Sequence, residues 1–103
     1  MTNELILKYE QTVNGVNASP GVLIATVDCS TNNSIVILAK GSIEFTLRVT
    51  HTDADDEEYA PDTFVIPVEG KMIVIEPGAN KIKVRAITTG TTDVVAAFYP
   101  RSI

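Results

Sequence analysis

At 103 residues and net charge −5, with one cysteine, the chain is the length of one ordinary domain and needs no disulfide framework to bury a core. It contains no run of about 18 apolar residues, which excludes a hydrophobic membrane-spanning helix. The acidic balance and the lack of aromatic residues interleaved with bases argue against nucleic-acid binding.

The start, MTNELILKYE, holds an apolar run of only three residues behind Glu4. It therefore lacks the basic start and long apolar stretch of a secretory signal, and synthesis in the cytoplasm is expected. Residues 5–9 read as a first strand. Asn14-Gly15 and Ser19-Pro20-Gly21 then read as turns, because these residues supply positive or preset φ.

Residues 22–29 form a second strand, with Val22, Ile24 and Thr26 on one face and Leu23, Ala25 and Val27 on the other. Cys29 at its end reads as a small buried hydrophobe, since no activating histidine or cation adjoins it in sequence. Residues 34–40, SIVILAK, are apolar on both faces, and Gly41 turns the chain into the next strand.

That next strand carries the clearest alternation in the chain. Ile43, Phe45, Leu47 and Val49 form an apolar row, and Glu44, Thr46, Arg48 and Thr50 a polar row for water. Hydrophobic period is then lost from residue 52 to 61, where Asp53, Asp55, Asp56, Glu57 and Glu58 cluster as an exposed loop. With Asp62 the stretch holds six of the thirteen acids, leaving seven acids against eight bases elsewhere. The net acidity thus belongs to one loop, and the chain is electrically polarised.

Residues 63–69 and 71–76 read as two strands joined in a hairpin at Glu69-Gly70. Pro67 cannot donate to a ladder and so places that strand at a sheet edge or at a bulge. After a turn at residues 77–80, residues 81–88 alternate again, Ile82, Val84 and Ala86 inward and Lys81, Lys83 and Arg85 outward. Residues 93–99 form the last strand, apolar on both faces, which Pro100 ends. Eight β-branched-rich strands with turn signals every eight to twelve residues predict an all-β antiparallel sandwich, jelly-roll or Ig-like, as a single domain over residues 1–103.

No nucleophile elbow, glycine-rich phosphate loop or zinc ligand set is present. His51, the single histidine, ends the central strand beside Asp53 without a visible nucleophile, and no enzymatic activity or cofactor is expected. Asp53, Asp55 and Asp56 could offer oxygens to calcium. Read as an EF-hand from Asp53, however, the loop places Glu58 where glycine is needed and Phe64 where a bidentate glutamate is needed. A calcium- or glycan-binding module using the loop at residues 53–58, with Tyr59 as a stacking face, is the alternative function.

The leading expectation comes from excess apolar surface. A strand in a two-layer sandwich needs one apolar face, yet Val36, Leu38, Val65, Val95 and Ala97 put apolar side chains on the outer one. Their cover could come from the irregular N-terminal segment, a neighbouring subunit or a host assembly; such patches mark protein contacts, so an oligomeric subunit of a larger assembly is expected. The acids Asp53, Asp55, Asp56, Glu57 and Glu58 and the bases Lys81, Lys83 and Arg85 would add charge complementarity between subunits.

The run at residues 70–100, GKMIVIEPGANKIKVRAITTGTTDVVAAFYP, resembles the closing strands of small all-β auxiliary or decoration proteins of tailed-phage capsids. The resemblance implies a non-catalytic sandwich, often oligomeric, that binds a preformed lattice of other protein subunits in a virion. It carries over no functional residue.

Overall fold

A computed structural model describes residues 7–15, 21–28, 33–76 and 81–101. Among these are eight strands: β1 (Leu7–Val13), β2 (Val22–Asp28), β3 (Ser34–Gly41), β4 (Phe45–Thr52), β5 (Glu58–Ile66), β6 (Lys71–Ile75), β7 (Lys81–Ile87) and β8 (Thr92–Arg101). They form two four-stranded sheets, ordered β1-β8-β3-β6 and β2-β7-β4-β5, and all six pairings are antiparallel.

This order has a simple origin. β1 pairs with β8, β2 with β7, β3 with β6 and β4 with β5, as if one long hairpin with its tip between β4 and β5 had been folded over. The β3–β8 and β4–β7 pairings then close each sheet. The fold is an eight-stranded jelly roll, one of the two sandwich types expected.

The core follows the period-two alternation. Ile35, Ile37, Ala39, Ile73, Ile75, Val94, Ala96 and Phe98 from the first sheet meet Phe45, Leu47, Val49, Ile66, Ile82, Val84 and Ala86 from the second, all buried. Each large aliphatic or aromatic side chain so buried contributes on the order of 1.5–3 kcal/mol. Tyr9 on β1 packs edge-on against Phe98, with ring centroids 5.3 Å apart. In β2 a register break between Leu23 and Ala25 lets both Ile24 and Ala25 turn inward, so the strict two-face division expected for that strand does not hold.

Several expectations are corrected. The hairpin at Glu69-Gly70 does not form, because β5 and β6 belong to opposite sheets. The turn there, in which Gly70 N–H donates to the Pro67 carbonyl at 2.9 Å, carries the chain across the sandwich. Pro67 lies in this turn rather than in a strand, although β5 before it is indeed an edge. Pro100 does not end the last strand but sits buried within β8, opposite Ile35. The first strand extends on to Val13. Residues 5 and 6, Cys29, and most of the turns at 19–21 and 77–80 lie outside the described residues.

The crossing from β3 to β4 is pinned by Thr92 at the start of β8. Its Oγ1 accepts from Ser42 N at 2.9 Å and from Ile43 N at 3.3 Å, while Asp93 N donates to Ser42 Oγ at 3.2 Å. Thr92 is buried. Thr92→Val keeps the shape and strands two amide donors, so a loss of about 1–2 kcal/mol in chemical denaturation is expected. A change below about 0.5 kcal/mol, the ordinary range for a surface substitution, would show that water replaces the hydroxyl without cost.

Candidate functional site

Two surfaces collect the residues singled out in the sequence. The first lies on the outer face of the β2-β7-β4-β5 sheet. The acidic stretch is shorter as a loop than expected. β4 runs to Thr52 and β5 begins at Glu58, so residues 53–57 alone form the connection, and Glu58 and Tyr59 are strand residues.

The loop is a hairpin tip of defined geometry. Asp56 N–H donates to the Asp53 carbonyl at 3.1 Å, and Asp53 N–H donates to the Glu57 carbonyl at 3.1 Å. Asp56 has φ 63°, the left-handed residue that follows the turn in a three-residue hairpin loop. Asp53 holds it together: Oδ1 accepts from Asp55 N and Glu57 N at 2.8 and 3.0 Å, and Oδ2 accepts from the Tyr59 hydroxyl at 2.8 Å. These bonds lower the Asp53 pKa, Tyr59 foremost, and raise that of Tyr59, whose ionisation would oppose the adjacent carboxylate. Of the calcium candidates Asp53, Asp55 and Asp56, Asp53 is thus turned onto two backbone amides and the Tyr59 hydroxyl, and Asp56 faces Lys81 at 3.8 Å. Among the described residues no group of three acidic, histidine or cysteine side chains is placed to hold a metal ion.

Asp56 occupies a conformation that suits glycine better, and its contact with Lys81, at 3.8 Å on the surface, is worth little. Asp56→Gly is expected to raise stability by about 0.5–1 kcal/mol. A lower melting temperature would mean that the ion pair outweighs the backbone.

Beside the loop, the acidic and basic groups meet within the chain. Thr52 of β4 is in register with both Glu58 on β5 and Lys81 on β7, and this three-strand order puts Glu58 against the strip Lys81, Lys83, Arg85. Arg85 Nη1 and Nη2 donate to Glu58 Oε1 and Oε2, the second at 3.1 Å, in a two-point fork. Thr50 Oγ1 donates to Oε1 at 2.7 Å, and Lys83 Nζ stands 3.8 Å from Oε2. Hydrogen bonds from Arg85 first, then Thr50, together with the charges of Arg85 and Lys83, hold the Glu58 pKa at about 2. Arg85, expected as an outward strand residue, is buried at 9% exposure, and Thr50, expected in water, is buried beneath the fork. His51 faces Asp62 at 3.6 Å rather than Asp53.

The second surface is the outer face of the β1-β8-β3-β6 sheet. Register places Ala97, Leu38 and Met72 in one row and Tyr99, Val36 and Val74 in the next. Leu38 is 40% exposed, Met72 63% and Val74 59%, while Val36, Val95 and Ala97 are half-buried. A shallow groove of about 390 Å³ crosses this face, lined by Leu38, Lys40, Gly70, Met72, Val95 and Ala97. The expected outer apolar residues Val36, Leu38 and Val95 therefore do come together. Val65 does not join them: it is 56% exposed on β5, in the opposite sheet. Met72 and Val74 went unnoticed in sequence, though Lys71–Ile75 is apolar at four consecutive positions, the same signal that singled out β3.

No known family matches the sequence, and no curated protein does. Solved structures do match in fold. The SPBc2 prophage-derived protein YomS superposes with a TM-score of 0.68 at 8% identity, over 96% of this chain and 95% of that one. A chain of the Bacillus endospore appendages, described as a family of disulfide-linked pili, gives a TM-score of 0.60 at 8% identity, over 99% and 88%. At such identity the likeness establishes a shared jelly-roll sandwich, and a shared fold does not specify a shared function.

Proposed function

We propose that this chain is a non-enzymatic structural subunit of a larger protein assembly. In this reading it is an auxiliary or decoration protein of phage origin, carried in a virion and bound through protein contacts to itself and to other subunits. The observation that carries the reading is the contiguous outer strip of Leu38, Met72 and Val74 on the β1-β8-β3-β6 sheet. Apolar area of this kind on a small domain marks a contact surface. Fold likeness to a prophage-derived protein and to a pilus subunit supports the same class. Recognition needs no cofactor, nucleic acid or membrane.

The test is co-sedimentation with purified virions from a host that encodes the chain, with Leu38→Asp as comparison. Saturable binding that Leu38→Asp weakens at least tenfold is expected. A chain that binds neither particles nor itself would sink the reading. Calorimetric heat with calcium or a glycan, abolished by Asp53→Asn, would instead favour a binding module at residues 53–58.

A further inference from the structure

The two sheets have four edge strands, β1, β6, β2 and β5, and three of them carry features that discourage pairing with another chain. β2 has its register break between Leu23 and Ala25. β5 contains Pro61 and Asp62, and its register with β4 shifts between Val49 and His51. β1 exposes Lys8 and Glu10, which pair at 3.3 Å.

β6 has no register break and no proline, and its one charge is the exposed Lys71 at its first position. It is regular, in unbroken register with β3 from Ile35↔Ile75 to Ala39↔Lys71, and Met72, Ile73, Val74 and Ile75 follow one another without proline or charge. Among the described residues it pairs on its β3 side only. Among the described residues its outward side chains, Met72 and Val74, are the two most exposed large apolar ones.

The geometry points to β6 as a docking edge for a second copy of this chain, the two β6 strands pairing antiparallel about a two-fold axis at Ile73. This rests on the subunit reading above in naming one partner for one edge of the same surface. A two-fold contact brings the same strand to itself, so the sequence of β6 must complement its own reverse, and in this register it does. Met72 lies opposite the second copy's Val74 on the outer face, and Ile73 opposite the second copy's Ile73 on the core face. A shift of one residue would set outward Met72 against inward Ile75 and is excluded by the pleat. A shift of two centres the axis on Val74 and sets Met72 against Glu76.

Charge selects the same register. Glu76 falls opposite the second copy's Gly70, which has no side chain. The Lys40 stem lies over Gly70, its Cβ and Cδ 3.3 and 3.9 Å from where a glycine Cβ would be. Each Glu76 is thus carried towards the second copy's Lys40, twice by symmetry, at the two ends of a merged apolar strip. Backbone bonds supply affinity and the alternate side chains supply specificity, as in other strand-addition contacts.

Sedimentation equilibrium of the full chain, with circular dichroism to confirm folding, tests the contact. The wild type is expected to dimerise, and Met72→Lys, Glu76→Lys and Lys40→Glu each to weaken association at least tenfold. The combined exchange Glu76→Lys with Lys40→Glu should restore it to within about threefold of wild type. A monomeric wild type, or a dimer indifferent to these substitutions, would overturn the inference, and so would an exchange that fails to restore association. Particle binding that depends on Leu38 would survive any of those results, so failure here is distinguishable from failure of the proposed function.

Discussion

Glu58→Gln is expected to destabilise the domain by about 2–3 kcal/mol, although the residue stands at the surface end of an edge strand. The cost arises at its partner. The Arg85 side chain is 11% exposed against 32% for Glu58, so removing the carboxylate charge leaves a guanidinium that water cannot fully reach. Arg85 also lies in register with Arg48 of β4, a neighbouring like charge on the same face. Breaking a fully buried pair costs about 3–5 kcal/mol, and the partial exposure of Glu58 brings the figure down. Arg85→Met should cost less, because the Glu58 left behind can turn to water and the methionine stem keeps the packing. A double-mutant cycle in urea should give a coupling of at least about 1 kcal/mol. A coupling near zero would mean the fork is a surface ion pair of the ordinary weak kind.

The same group makes the protein acid-sensitive. Its folded pKa, about 2, lies below the value of 4.5 for a free glutamate, so the folded state favours the charged form. The contribution is fully present above pH 4.5 and is lost as pH falls from there towards 2. After allowance for solvent screening it amounts to about 1–2 kcal/mol. Unfolding free energy measured from pH 6 to pH 2.5 should fall more steeply in the wild type than in Glu58→Gln. Parallel curves would place the acid sensitivity elsewhere.

Gly15→Ala is expected to cost about 3 kcal/mol or more, through overpacking rather than backbone strain. A Cβ at this position would stand 1.8 Å from Thr88 Oγ1 and 2.1 Å from the Gly90 carbonyl oxygen. Thr88 is itself buried, with its hydroxyl donating to that carbonyl at 2.8 Å, so neither neighbour can give way cheaply. A fall in melting temperature of about 10–20 °C should follow. Gly90→Ala is the control: its Cβ would meet Ile43 Cδ1 at 3.5 Å, ordinary contact, and little change is expected. If both substitutions were tolerated alike, the link after β1 would have to move freely away from the β7–β8 turn. Asn14-Gly15 reads in sequence as a turn that needs positive φ. Among the described residues the positive-φ glycines are instead Gly21 and Gly70, and Gly15 is needed for space.

Much of the fold is legible residue by residue. Alternation in residues 43–50 and 81–88 locates β4 and β7, and each expected strand has its counterpart. What misled were the links. Glu69-Gly70 looks like a hairpin because two apolar runs flank a glycine, and nothing local tells a turn within a sheet from one that crosses between sheets. The acidic loop looks longer than it is because charge masks strand period: Glu58 and Tyr59 belong to β5, paired with Thr52 and His51. The outer apolar face was visible in Val36, Leu38 and Val95, whereas its most exposed members, Met72 and Val74, emerge only when β6 is laid beside β3.

Read alone, the chain is recognisable as an all-β sandwich whose net acidity sits in one stretch, with three of its eight bases on one strand and more apolar strand faces than one core can use. Alternation, composition and charge are local properties, and a chain displays them before it folds. Tertiary pairing sets the nesting of the strands as a jelly roll and the meeting of Glu58 with Arg85 in the same chain. It also makes β6 the one edge strand, among those described, without a break, a proline or an exposed charge pair. Each of these depends on pairings between residues far apart in sequence. Strand period specifies which way a side chain faces, and says nothing about which strand lies next to it.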